Sequence, residues 1–243
     1  MASVAFIGPD GTGKTTITRR LEQSGLLPFK YLYMGVNIYA ATTTLPTTRL
    51  AGFLKRRLRR HAETSHGATT GSGARRGAGW LWATARLGNH LAEEWFRQLV
   101  SWSYQLRGYV VLYDRHFMFD FSPEIVAGMP TDPDRRLHHW LVTHAYPRPE
   151  LVFFLDAPGE VLYARKGEST VEELNRRRQG FQALGARMPN VIRVDATRPM
   201  DDVYGDVVAH LTRFYGRRRT AFRPLTATMG AAGPASSGAE LER

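Results

Sequence analysis

The chain has 243 residues and a formal net charge of +11, and 43% of its residues are hydrophobic. This length suits one α/β domain with a well-buried sheet, and the hydrophobic content excludes wholesale disorder. Cysteine is absent, which excludes disulfides, thiolate nucleophiles and zinc–thiolate sites. Because no run of 18 apolar residues and no charged-then-apolar leader is found, we expect a cytoplasmic protein without a membrane span.

The positive charge comes mostly from arginine, since the only lysines are Lys14, Lys30, Lys55 and Lys166. Guanidinium groups clamp phosphate oxygens in a bidentate fork, so a phosphate-handling enzyme accounts for part of the excess. Nucleic-acid binding is the alternative explanation, but no recognisable nucleic-acid module accompanies the charge. We therefore expect small anionic partners and no specific nucleic acid.

The N-terminal part of the chain alternates apolar runs with a helical segment. We predict a strand at Val4–Ile7, a helix from about Gly13 to a stop at Gly25, and a second strand at Lys30–Met34. The following residues are rich in Gly, Ala, Ser, Thr and Arg and cannot bury enough surface to order themselves strongly. A flexible basic insertion is therefore expected at about 55–79.

A long helix is predicted from about Trp80 to Arg107. Gly108 ends it, and its apolar positions recur at helical spacing, namely Leu81, Leu91, Trp95, Leu99, Trp102 and Leu106. Another helix begins at Thr131 or Asp132, before Pro133, and a last one covers about Met200–Tyr215.

Three further strands are predicted at Tyr109–Tyr113, Leu151–Leu155 and Val191–Val194. Continuous apolar strands separated by helices indicate a five-stranded parallel sheet with helices on both faces. We assign residues 1–216 to one domain and 217–243 to a basic, disordered tail.

Residues 8–15 read G-P-D-G-T-G-K-T and match the P-loop pattern G-x-x-x-x-G-K-[ST] between a strand and a helix. Glycines in such a loop let backbone N–H groups surround phosphate oxygens at a helix N-terminus. We expect Lys14 to reach the β and γ phosphates of ATP and the Thr15 hydroxyl to ligate Mg²⁺. The sequence thus predicts a P-loop NTPase-type α/β fold whose nucleotide site comprises Gly8, Gly11, Thr12, Gly13, Lys14, Thr15 and Thr16.

Ligands of parallel sheets bind beyond the carboxyl ends of the strands, which is where Gly8, Asp114 and Asp156 fall. The Asp114 carboxylate is the second predicted magnesium ligand, directly or through water; a buried or capping Asp is the alternative. Arg115 either clamps the phosphate of an acceptor or pairs with Asp114, and the two roles are compatible.

Four segments carry a family resemblance. F-I-G-P-D-G-T-G-K-T-T resembles the P-loop of thymidylate kinases, which have an Asp at the place of Asp10, and Y-D-R-H at 113–116 resembles the Asp-Arg pair of these and related nucleoside kinases. Residues 164–178 resemble an arginine-bearing lid, and 194–203 are similar to the turn that lies beside adenine. The resemblance covers about 1–60 and 105–215 and is closest to the branch labelled thymidylate kinase-like. It implies that Asp10 faces the acceptor, that Asp156 has a structural or supporting role and is not the main magnesium ligand, and that the protein is a homodimer.

The sequence of the lid segment predicts where its helix begins and on which side its arginines lie. Thr170 and Glu173 form a capping-box pattern, so a helix should begin at Val171. At about 100° per residue, its apolar stripe is flanked by Arg177 and Arg178, whereas Arg176 points away. A solvated basic helix is the alternative. We expect charge on the transferred phosphoryl group to be stabilised by Arg177, Arg178 and the loop residue Arg165, beside the other expected catalytic residues Lys14, Asp10 and Arg115.

The predicted function is an ATP- and magnesium-dependent kinase that acts on a small phosphorylated acceptor. A hydroxyl acceptor needs a carboxylate base, which in nucleoside kinases typically follows the second strand. Here that stretch reads Y-L-Y-M-G-V-N-I-Y-A and contains no acid, although Asp10 is a possible base. The alternatives are a kinase for a nucleoside or other small-molecule hydroxyl, and a non-enzymatic nucleotide- or nucleic-acid-binding protein. Asp120 and the pair His138–His139 are interpreted as ordinary polar residues.

Overall fold

A computed structural model describes residues 2–35, 75–119 and 133–216, the side chains of 75–87 and 133–135 excepted. Five strands form one sheet in the order β2-β3-β1-β4-β5, and all neighbouring strands are parallel. Their bounds are β1 Ser3–Ile7, β2 Phe29–Tyr33, β3 Val110–Asp114, β4 Leu151–Asp156 and β5 Val191–Asp195. The predicted P-loop NTPase-type α/β fold is confirmed.

The described helices are α1 Lys14–Gln23, α2 Arg75–Leu106, α3 Pro133–His144, α4 Gly159–Lys166, α5 Val171–Gly185 and α6 Met200–Gly216, with a short 3-10 helix at Phe117–Phe119. The chain divides into two compact units, residues 1–207 and 208–243. The first contains the sheet; of the second, the structure describes 208–216, the last part of α6. The predicted tail and most of the predicted insertion lie outside the described residues. No helix of the described ranges is long and apolar enough to cross a membrane.

The sheet is buried on both faces, which explains why its strands read as continuous apolar runs. Alternate residues of β1 point to opposite sides. Ala5 and Ile7 join a cluster with the neighbouring strands, against which Tyr104 of α2 and Phe181 of α5 pack. Helix α1 packs on β1, β2 and β3. The helices thus cover both faces and leave the carboxyl ends of the strands as the site for ligands.

Helix α2 begins five residues before the predicted Trp80. The apolar spacing predicted the helix correctly, but three of the six apolar side chains are exposed: Trp95 is 37% exposed, Leu99 55% and Leu106 79%. Among the described side chains of α2, the fully buried ones are polar, namely Glu93, Glu94, Arg97, Gln98 and Ser101. Helical periodicity identifies the helix, but it does not show which side of the helix packs against the rest of the protein.

This orientation predicts unequal costs for two leucine substitutions. Leu106→Gln should change the free energy of unfolding by less than about 0.5 kcal/mol, because its side chain is solvated. Leu112→Ala in the fully buried strand β3 should cost about 2–5 kcal/mol, because it leaves a cavity. Urea unfolding measures both values. Equal losses would show that Leu106 is part of a buried contact.

Candidate functional site

The P-loop connects β1 to α1 and depends on glycine at two close approaches. Gly8 has φ 143°, and a Cβ there would lie 2.5 Å from the carbonyl oxygen of Leu155 on β4. Gly13 precedes α1 with φ 86°, and its Cβ would lie 2.5 Å from the Met200 side chain. Side chains at either position would therefore open the loop. The predicted loop geometry is present.

Lys14 turns back into this loop. Its ammonium donates to the carbonyl oxygens of Gly8 at 2.8 Å and Pro9 at 2.6 Å and to the Thr12 hydroxyl at 3.3 Å. Burial, together with the nearby positive charge of Arg115, lowers the Lys14 pKa to about 7. Contact with phosphate oxygens requires the ammonium to exchange these three acceptors for anionic ones.

A hydrogen bond connects the P-loop helix α1 to the end of β3. The exposed Thr15 donates its hydroxyl hydrogen to Oδ2 of Asp114 at 2.6 Å. The Tyr31 hydroxyl donates to the same oxygen at 3.1 Å, and burial and Asp114 raise the Tyr31 pKa. The other oxygen, Oδ1, is buried and has no hydrogen-bond partner in the described part of the chain. Thr15 and Asp114, predicted separately as magnesium ligands, thus occupy one place.

These oxygens suit a hard divalent cation. In the described ranges no group of three or more His, Asp or Glu side chains could hold a metal by itself. Mg²⁺ commonly takes only one or two carboxylates from a protein and fills its octahedron with water and substrate phosphates. A hydroxyl beside a half-satisfied carboxylate, at the first turn of the P-loop helix, fits that donor set.

Asp10 connects the P-loop to two arginines. It forms ion pairs with Arg115, which follows β3, and with Arg177 of α5 at 3.1 Å. Burial opposes ionisation of Asp10, but the charges of Arg115 and Lys14 outweigh it and hold its pKa below the ordinary value. Arg177 also pairs with Glu173 at 2.6 Å. Asp10, Arg115 and Arg177 were all predicted site residues, and the structure brings them together.

Arg115 has an unusual backbone conformation, with φ 66° in the left-handed region. Few non-glycine residues adopt it, and such outliers concentrate at functional sites. The turn directs the Arg115 side chain toward Asp10 and past Gly35, where a Cβ would lie 2.8 Å from its Cδ atom.

Arg177 and Arg178 have different partners. Arg178 holds Asp156 in a bidentate pair, with Nε–Oδ1 at 2.6 Å and Nη2–Oδ2 at 3.0 Å, and Arg193 of β5 donates to the same carboxylate. These contacts connect Asp156 to α5 and β5, and its expected structural or supporting role stays a prediction. The catalytic role of Arg178 stays a prediction, and its observed contact ties α5 to the end of β4.

A pocket of about 380 Å³ lies on the β4–β5 side of the P-loop. It is lined by Gly11, Thr12, Arg165 and residues of the turn after β5, including Ala196 and Met200. Arg165 was predicted in a loop but lies in the last turn of α4, where it donates to the Ala196 and Thr197 carbonyl oxygens at 2.8 and 3.1 Å. The exposed Thr16 does not line this pocket.

The predicted start of helix α5 and its capping contact are confirmed. Helix α5 begins at Val171, and the Thr170 hydroxyl accepts a hydrogen bond from the Glu173 N–H at 3.2 Å. Arg176 is exposed, whereas Arg177 and Arg178 are partly buried.

The sequence analysis missed several residues near the same sheet edge. Arg97 of α2 donates to the carbonyl oxygen of Gly35 at 2.7 Å, and Glu94 accepts a hydrogen bond from His138 of α3 at 2.8 Å. This hydrogen bond does not contradict the interpretation of His138 as an ordinary polar residue, and Asp120 lies outside the described residues. The polar stripe of α2, which repeats at helical spacing, was the signal that could have identified this side of the site.

No protein-family model matches the chain.

The Asp156 contacts predict a stability loss that depends on pH. Arg178 and Arg193 outweigh burial and hold the Asp156 pKa below its ordinary value. Their contribution is therefore present above about pH 4, the range of an unfolded Asp, and is lost as pH falls through the folded-state pKa. Asp156→Asn should cost about 1–3 kcal/mol near neutral pH, as for hydrogen bonds to a charged group.

Urea unfolding of both proteins across this pH range measures the difference. Asp201→Asn is the matched control, because its partner Arg20 and Asp201 itself are exposed and such pairs contribute about 0–1 kcal/mol. A constant difference down to about pH 2 would contradict the proposed origin of the stability.

Proposed function

We propose that this protein is an ATP- and magnesium-dependent kinase that transfers the γ-phosphoryl group to a small phosphorylated acceptor. The observation that carries the proposal is the 2.6 Å contact between Thr15 of the P-loop and Asp114 of β3. P-loop enzymes hold magnesium with these two residue types in this relation. The thymidylate kinase-like resemblance of the surrounding segments supports the same proposal.

The β4–β5 pocket is proposed to hold the nucleoside of ATP. It adjoins Gly11 and Thr12, so a nucleotide there would place its phosphates in the P-loop, at the N-terminus of α1. Lys14 would then leave the carbonyl oxygens of Gly8 and Pro9 for the β and γ phosphates. Magnesium held by Thr15 and Asp114 would neutralise charge between these phosphates.

Asp10, Arg115 and Arg177 are proposed to surround the transferred group. During transfer the bond from the γ-phosphorus to the β–γ bridging oxygen breaks, and a bond forms to an oxygen of the acceptor phosphate. ADP leaves with the electron pair of the broken bond. Because an ionised phosphate carries no proton to remove, cations that offset repulsion between anions are sufficient. Arg115 and Arg177 supply two positive charges beside the P-loop.

A hydroxyl acceptor is the second candidate, and one observation favours it. No acid follows β2 along the chain itself, where residues 31–40 read Y-L-Y-M-G-V-N-I-Y-A. Helix α2 brings the buried carboxylate of Glu94 one turn from Arg97, which contacts Gly35 directly after β2. Together with Asp10, this residue supplies a second carboxylate that a hydroxyl acceptor could use as a base.

Matched acceptor pairs test the proposal. Each nucleoside or sugar is compared with its monophosphate for ADP formation with ATP and Mg²⁺. We expect the monophosphate to have the higher kcat/KM.

Lys14→Ala should reduce turnover at least about 10²–10³-fold, the scale of removing a group that stabilises transition-state charge. ADP formation independent of acceptor, or near-wild-type turnover in folded Lys14→Ala protein, would reject the kinase. A better unphosphorylated substrate, lost in Asp10→Asn or Glu94→Gln, would select the hydroxyl reaction.

The three consecutive arginines of α5 provide a second test. Arg177→Ala should lower kcat at least about tenfold, because it removes the charge beside Asp10. Arg176→Ala is the matched control on the same helix and should have little effect, since its side chain is exposed. Arg178→Ala should reduce both turnover and the free energy of unfolding through Asp156. If Arg176→Ala were the most damaging of the three, Arg177 would not be the proposed charge donor.

A further inference from the structure

Helix α2 buries its charged side and exposes its apolar side. Between residues 88 and 106 the charged side chains are all buried, namely Glu93, Glu94 and Arg97. The opposite side exposes Trp95, Leu99 and Leu106. Single exposed apolar residues are ordinary on a protein surface, but a row of them marks a place where another surface docks.

The exposed side of α2 repeats with the spacing of a helix–helix contact. Its residues are separated alternately by four and three positions, which keeps one row facing a neighbouring helix over several turns. We call this row the outer stripe, namely Gly88, Ala92, Trp95, Leu99, Trp102 and Leu106. Trp102 is half-buried and the other five are exposed. The outer stripe therefore has the pattern that one helix needs to pack along another.

The large apolar side chains that the described surface exposes are concentrated around this helix. Six of the eight lie on α2, directly after it or on α3, namely Trp95, Leu99, Leu106, Tyr109, Leu137 and Trp140. Helix α3 packs against α2. Exposed apolar surface is thus a local property of this part of the protein, as expected for a docking surface.

The outer stripe is complementary to a second copy of itself in the antiparallel orientation. A two-fold axis that passes between positions 93 and 94 brings together positions that are equally far from it on the two helices. Gly88 of one copy then faces Leu99 of the other, and Ala92 faces Trp95. The same pairing joins position 85 to 102 and position 81 to 106. Small residues lie opposite large ones, which lets two helices approach closely and still fill the space between them.

Gly88 supplies space that this pairing needs. A Cβ built on Gly88 would meet no atom of the described residues within 4 Å. Packing within the described part of the chain therefore does not require glycine at this position, where glycine weakens a helix relative to alanine. In the antiparallel pair, Gly88 is the position that receives Leu99 of the second copy.

We propose that two copies of this chain associate through the outer stripes of their α2 helices, packed antiparallel about a two-fold axis. Each chain has a net charge of +11, but the outer stripe contains no charged side chain. Association therefore buries apolar surface without removing ions of the stripe from water. The inference is independent of the proposed kinase activity, because the outer stripe contains none of the proposed site residues.

A segment of the same chain is the alternative occupant of the outer stripe. Residues 36–74, 120–132 and 217–243 lie outside the described residues. A second copy is favoured because it brings the matching spacing, with a small residue opposite each of Trp95 and Leu99. Cover by the chain's own segment predicts a monomer at every concentration, so a measurement of mass separates the two occupants.

Sedimentation velocity of the full chain over about 1–100 µM measures the association. We expect a species with twice the mass of one chain. Leu99→Glu should raise the dissociation constant at least about tenfold, because it places an unpaired charge in the contact. Gly88→Leu should have an effect of similar size, because it fills the space that Leu99 of the second copy occupies. Circular dichroism verifies that both variants are folded.

Each stripe variant has a matched control. Leu26→Glu changes a leucine that is 50% exposed after α1, and it introduces the same charge as Leu99→Glu. Gly205→Leu changes an exposed glycine of α6 whose added Cβ likewise meets no described atom within 4 Å. Both controls should leave the dissociation constant unchanged.

Cross-linking tests the orientation of the helices. The chain contains no cysteine, so an introduced thiol is unique. Gly88→Cys and Leu99→Cys proteins are mixed, allowed to exchange subunits and treated with a short bismaleimide. The proposed axis predicts cross-links between the two variants and few within either, because equal positions of the two copies lie about 16 Å apart along the helices. Parallel helices would give the reverse.

A dimer that both stripe variants weaken and both controls retain, with cross-links between Gly88→Cys and Leu99→Cys, supports the inference. A monomer at every concentration overturns it, as does a dimer that either stripe variant leaves unchanged or that the controls weaken equally. Cross-links mainly between equal positions also overturn it. ADP formation is a separate measurement, so either proposal can fail without the other. The small stability cost predicted for Leu106→Gln applies to the dissociated chain.

Discussion

The carboxylate of Asp114 is the point where the separate parts of the site meet. It ends β3, the neighbour of the central strand β1, and its Oδ2 accepts hydrogen bonds from Thr15 of α1 and Tyr31 of β2. Three elements that lie far apart in sequence therefore share one oxygen. Because both donors occupy Oδ2, Oδ1 is left for another partner. A shift of β3 by one residue would turn this carboxylate to the other face of the sheet, so strand register controls the site.

Two charge networks extend from this centre to α5. Asp10 of the P-loop forms ion pairs with Arg115 and Arg177. Asp156, at the end of β4, forms ion pairs with Arg178 of α5 and Arg193 of β5. Consecutive residues of a helix are about 100° apart, which lets Arg177 and Arg178 reach different carboxylates. The pair at Asp156 holds the helix against the sheet, while the pair at Asp10 lies in the P-loop, where an anionic ligand would compete for both arginines. In the proposed kinase, anchoring and catalysis are thus divided between adjacent side chains.

Sequence patterns predicted the helices and strands better than the contacts between them. Apolar runs located all five strands, and the Thr170–Glu173 pattern located the start of α5, because these signals depend on residues close in sequence. The P-loop motif likewise identified Thr15, and the end of an apolar strand identified Asp114. Two features depend on tertiary contacts and were not predictable in this way: the partner of Arg178, and the side of α2 that faces the sheet. Trp95 and Leu99 had the spacing of a buried stripe, yet Glu94 and Arg97 occupy that side.

The two sides of the P-loop differ in chemistry. On the β4–β5 side, the pocket beside Gly11 is lined by Arg165, backbone and apolar atoms such as those of Met200, which suits a flat, weakly polar base. On the β2–β3 side, the buried side of α2 is polar: Arg97 donates to the carbonyl oxygen of Gly35, and Glu94 accepts from His138 of α3. Because a buried charge is costly unless it is paired and hydrogen-bonded, these contacts offset the cost of burying both side chains. They also connect α2 to the segment after β2 and to α3, so the buried charges fix the position of this helix beside the sheet.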